Sequence, residues 1–108
     1  MRSQIWKFPL PVRTDGFIME WNGRFDLDLP KASTVLSVQL QHDQIALWAL
    51  VTPDADLEKR SFILAATGKD VPRRDDEAIL FIATVQIDGG SLVLHLFESL
   101  GAMDAPQS

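Results

Sequence analysis

The chain predicts an all-β fold, a small antiparallel β-sandwich or barrel of about seven strands with at most one short helical turn. Three observations carry this. Apolar and polar residues alternate at period two through much of the chain, the mark of strands with one buried face. Turn signals punctuate these runs at short intervals, Asn22-Gly23 and Asp88-Gly89-Gly90 being the plainest. Around them is organised the stretch Val35 to Val51, which reads as two strands joined by a polar turn at Gln41 to Gln44.

Each element has its own warrant. Ile5 to Leu10 is a short strand with Trp6, Phe8 and Leu10 on one side, and Pro9, which cannot donate to a ladder, places it at a sheet edge or ends it early. Asp15-Gly16 turns the chain into Phe17 to Trp21, and Asn22-Gly23 opens a hairpin whose return strand is Arg24 to Leu29. There Phe25, Leu27 and Leu29 face inward while Arg24, Asp26 and Asp28 face water. Leu36, Val38 and Leu40 share one face of the next strand. The strand from Ile45 to Val51 is apolar on both sides, so it is expected at the centre of the fold with Trp48 in the core. Thr52 and Pro53 can start a helical turn with acids in its first positions. Strands then follow over Ser61 to Thr67, Ala78 to Ile87 and Ser91 to Phe97. The polar loop Gly68 to Glu77 separates the first two, and residues 98–108 form a frayed tail.

At 108 residues the chain is a single domain, 1–108. It has no cysteine, which removes disulfides, thiolate metal sites and cysteine nucleophiles. A net charge of −5 opposes bare nucleic acid and anionic membranes at long range. No window has the length of a signal peptide or membrane span, so the expected compartment is the cytoplasm.

Catalytic motifs are tested and fail. His42 lies in a turn and His95 among Leu94, Leu96 and Phe97, where a packed histidine with one satisfied nitrogen is the plain reading; a metal site needs three or four converging ligands. Asp54, Asp56 and Glu58 lack the glycine and ligand spacing of a calcium loop. Asp26 and Asp28 share a solvent face, and neither a nucleophile elbow nor a phosphate loop is present. The aromatic residues alternate with aliphatic ones on inward faces without a basic stripe, which favours core packing over base stacking. No enzyme and no cofactor are expected.

Several segments together resemble a family of small uncharacterised proteins carried by bacteriophages and prophages. These are Ile5 to Leu10, Val35 to Gln39, Leu47 to Val51 with Pro53, Thr84 to Gln86 and His95 to Glu98. Thr67-Gly68 matches as well, with Ala66 where a glycine is usual, and Arg13 to Gly23 is longer than the usual form. The resemblance implies no activity. It implies a phage setting, in which small non-enzymatic proteins bind and block host machinery. The expected function is a non-enzymatic interaction protein of the host-cell cytoplasm, an inhibitor of a bacterial defence system such as CRISPR-Cas. The alternative is an oligomeric small-molecule binder that sequesters a nucleotide-like signal. The expected partner is a host protein, with homodimerisation because several strands are apolar on both faces.

If antiparallel strands simply alternate up and down, the His42-Asp43 turn and the Gly68–Glu77 loop share one end of the fold. The expected partner-binding residues are therefore His42, Asp43, Arg73, Arg74, Asp75, Asp76 and Glu77, since loops on a rigid scaffold carry recognition and arginine is enriched at hot spots.

Overall fold

A computed structural model describes residues 2–13 and 23–102. The strand expected over Phe17 to Trp21, and Asn22 of the expected hairpin, lie outside the described residues. Seven strands form: β1 (Gln4–Arg13), β2 (Gly23–Pro30), β3 (Thr34–Gln41), β4 (Gln44–Val51), β5 (Leu57–Ala66), β6 (Glu77–Ile87) and β7 (Leu92–Ala102). They pair as two antiparallel sheets, β1-β4-β3 and β2-β5-β7-β6. The fold is thus a small all-β sandwich. Its core lies between the sheets, built from Leu10, Leu29, Val38, Leu47, Phe62, Leu64, Val85, Leu94, Leu96 and their neighbours.

The alternating strands are where the period-two pattern puts them. Phe25 and Leu27 are half-buried and Leu29 fully buried, while Asp26 and Asp28 are exposed. Trp6, Phe8 and Leu10 pack on the core from β1, which is an edge strand. The β3–β4 turn closes in two residues, with His42 in the left-handed region at φ 56°, a conformation that histidine accepts more readily than most residues.

Four expectations fail. Thr52 to Asp56 makes turns rather than a helix, and β5 already begins at Leu57; the helical turn is instead a 3-10 turn at Asp88–Gly90. β7 continues past Glu98 to Ala102, so the tail is strand up to that point. In β6 a bulge between Phe81 and Ala83 breaks the expected face. Ala83, Val85 and Ile87 face the core, while Phe81 is thrown to the outer face against Phe97, with ring centroids 5.8 Å apart; an extra residue reverses the side-chain phase on one side of it. A bulge at Leu36 does the same in β3, leaving Leu36 exposed and Val35 packed on the core.

The fourth failure concerns which strand is covered twice. β4 is the middle strand of its sheet, but its outer face is open beyond the buried Ala46: Trp48 is only half-buried and Leu50 is 40% exposed. The strand buried on both faces is β5, where Ile63 and Ala65 are buried on the side away from the core. The reason is topological. β5 and β6 are both antiparallel to β7, which lies between them, so they run in the same direction. The segment 67–76 therefore returns along the length of the sheet as a crossover. It is not a turn at one end. Arg24, whose register partner is Ile63, donates to the Pro72 carbonyl at 3.1 Å and ties this segment to the outer face.

Candidate functional site

The crossover separates the residues expected to bind a partner. The His42-Asp43 turn lies at the end of the sandwich that holds Ala66, Thr67 and the 3-10 turn. Glu77 pairs with Ala102 at the opposite end, near Lys31–Ser33 and Thr52–Asp56. Arg73, Arg74, Asp75 and Asp76 are exposed on the returning segment. No single end surface unites them with His42 and Asp43.

Glu77 leaves the surface altogether. It is 1% exposed and accepts from Arg24 Nη1 and Nη2, both at 2.8 Å, and from the Arg74 amide at 3.0 Å. The Ser99 hydroxyl donates to it as well. The Arg24 and Ser99 hydrogen bonds, resisted by burial, hold its carboxyl well below the usual carboxylate range. Glu77 is a clasp for the crossover. A second pair lies at the core edge, where Arg60 donates from Nε to Glu98 Oε2 at 2.6 Å and from Nη2 to Oε1 at 2.8 Å. Its Nη1 donates to the Ser33 carbonyl at 2.7 Å, linking β5 to the connection before β3.

His95 has both ring nitrogens engaged, Nε2 at 2.6 Å from Thr67 Oγ1 and Nδ1 at 3.0 Å from Thr84 Oγ1. It joins the start of the crossover to β7 and β6, one more contact than a packed histidine with a single satisfied nitrogen would make. Among the described residues no buried side-chain nitrogen or oxygen lacks a hydrogen-bond partner, and none form a cluster of three or more metal-ligand types.

A groove of about 640 Å³ lies at the corner where β3 faces β6. One wall is the run Ser33 to Gln39 and the other is Leu80 to Ala83, with Arg60 and Glu98 also in the lining. Three large apolar side chains stand exposed around it: Leu36 at 49%, Leu80 at 50% and Phe81 at 55%. β3 and β6 are outer strands of their sheets, and no ladder joins them. The groove is thus bounded by two strand edges that have no ladder partner among the described residues, each interrupted by a bulge.

Sequence reasoning missed this site because the two bulges are invisible in the residue pattern. The Arg60–Glu98 pair did leave a signal. Arg60 is in phase with Phe62, Leu64 and Ala66, and Glu98 with Leu92, Leu94 and Leu96. A base and an acid that each extend a core-facing series are candidates for a pair.

A sandwich of this kind, with its buried charges paired and an open corner between sheet edges, is a small all-β domain. The chain belongs to a particular family: a model described as a domain of unknown function, DUF7352, matches residues 1–105. No curated protein and no solved structure matches it. No helix among the described residues is long and apolar enough to cross a membrane.

Proposed function

We propose that the protein is a non-enzymatic interaction protein that holds a partner protein at the open corner between β3 and β6. The observation that carries this is the groove itself, where Leu36, Leu80 and Phe81 expose apolar surface around a concavity; clustered apolar exposure of this kind marks interaction sites. In the phage setting implied by the sequence resemblance, the partner is a host protein of the cytoplasm, such as a component of a defence system that the binding blocks. Sequestration of a nucleotide-like signal is the weaker reading. A groove of about 640 Å³ has the size for it, but the Arg60 donors that would meet a phosphate are taken by Glu98 and Ser33.

Capture from host lysate by three immobilised proteins tests the reading: wild type, the double variant Leu80→Asp/Phe81→Asp, and the double variant Arg73→Glu/Arg74→Glu. All four positions are exposed, but Phe81 packs on Phe97 and Arg74 lies 3.7 Å from Glu77, so capture is compared at a temperature where the melting curve of each variant shows it folded. The groove variant should lose the partner and the arginine variant should retain it. The opposite pattern would put the epitope on the crossover.

A further inference from the structure

We infer that the partner takes the β6 edge into an uncharged, apolar cleft of its own and grips it from both sides, meeting Leu80 at the groove and Phe81 on the outer face. This rests on the β3–β6 corner being the partner site and names the chemistry and shape of what meets it there. The bulge between Phe81 and Ala83 makes the edge two-sided. Leu80 lies opposite Glu98 on the groove side, and Phe81 lies opposite Phe97 on the outer side. Their exposures, 50% and 55%, are nearly equal, so apolar surface continues from the groove over the edge. On the outer face the neighbours of Phe81 along β6 are Ile79 and Thr84, whose register partners are Ser99 and His95. Thr84 is exposed and Ile79 half-buried.

Charge sets this corner apart. Exposed sheet edges are usually blunted by charged side chains and proline. The outer strands at the other side of the sandwich follow that rule, β1 with Lys7 and Pro9, β2 with Arg24, Asp26 and Asp28. β3 carries no charged residue, and β6 carries only Glu77, which is buried and held by Arg24. In the groove, Arg60 and Glu98 neutralise each other. A chain with ten basic and fifteen acidic residues thus keeps exposed charge off both strands of one corner. A charged group brought there loses water and gains no counter-charge, which is costly. The matching surface is therefore apolar or uncharged polar, and the phosphates of a nucleic acid find no cations on either strand. The groove of a second copy cannot be the cleft. β3 and β6 approach within 8 Å, too close to admit another strand between them, since neighbouring strands lie about 4.8 Å apart. The cleft is assigned to a different protein.

The probe is the protein that immobilised wild type captures from host lysate, identified by mass spectrometry and purified. It is titrated against wild type, Leu36→Lys on the groove wall, and Ile79→Lys and Thr84→Lys on the outer face, each at a temperature where its melting curve shows it folded. Leu36→Lys and at least one outer-face variant should weaken binding by about tenfold or more, because each lysine places a charge in an uncharged contact. Wild-type affinity should change by less than about threefold between roughly 0.05 and 0.5 M salt. A larger fall with salt overturns the inference. So does loss confined to one side of the edge; when only Leu36→Lys loses binding, the groove still stands as the partner site. A wild-type dimer that Ile79→Lys or Thr84→Lys turns into a monomer by light scattering makes a second copy the occupant and overturns it too. No capture by wild type, or binding unchanged in every variant, removes the corner as a partner site and the grip with it.

Discussion

Arg24 and Glu77 show how one side chain from each end of a long sequence interval can hold a connection in place. Glu77 is buried, whereas Arg24 keeps 32% of its side chain in solvent. Arg24→Ala would leave the carboxylate uncompensated. The expected cost is about 3 kcal/mol, the low end for breaking a buried pair, because Arg24 is partly solvated. Since the folded-state carboxyl titrates below its ordinary value of 4.5, its contribution is fully present above that pH. It is lost as pH falls through the acid range toward the folded value. Urea midpoints measured from neutral pH downward should therefore drop more steeply below about pH 4.5 in wild type than in Glu77→Gln. Equal slopes would mean that Glu77 is not held ionised by the clasp.

Among the elements, β4 and β5 exchange the roles that their compositions imply. β4 has the more apolar sequence, yet β5 is the strand covered on both faces, because the crossover 67–76 lies over one of them. Ile63 is fully buried on that outer face, so Ile63→Ala should cost about 2–5 kcal/mol, as for an interior aliphatic residue. Trp48→Ala should cost less than the roughly 3–5 kcal/mol of a core tryptophan, since Trp48 is half-buried on an open face beside Lys7 and Ser37. Urea denaturation of the two variants orders them directly. A larger loss at Trp48 than at Ile63 would reverse this account of the two strands.

For the molecule as a whole, we propose that self-association uses the open outer face of the β1-β4-β3 sheet. Ile5 and Leu50 are register partners exposed at 61% and 40%, with Trp48 adjacent along the same face. We expect a homodimer with twofold symmetry through this face. Light scattering at micromolar concentration should give a dimer mass for wild type and a monomer mass for Ile5→Asp/Leu50→Asp. A wild-type monomer at micromolar concentration and above would exclude it. Ser37 borders both this face and the β3–β6 groove, so the two surfaces adjoin.

The sequence by itself determined the all-β class, the polar turn within Gln41 to Gln44, and the inward face of β2. All of these follow from period-two alternation and turn chemistry, which act within a few residues. What only the tertiary structure decided is the direction of β6 relative to β5, and with it the fate of Glu77 and the separation of His42 from Arg73 and Arg74. A polar segment of ten residues, 67–76, is compatible with either a hairpin loop or a crossover. The choice between them is made by the partners its ends find, Arg24 above all, which lies more than fifty residues away from Glu77 in sequence. The bulges at Leu36 and Ile82 were likewise decided by strand pairing, since one extra residue leaves the composition of a strand unchanged while turning its side chains over. The groove exists because of those two decisions.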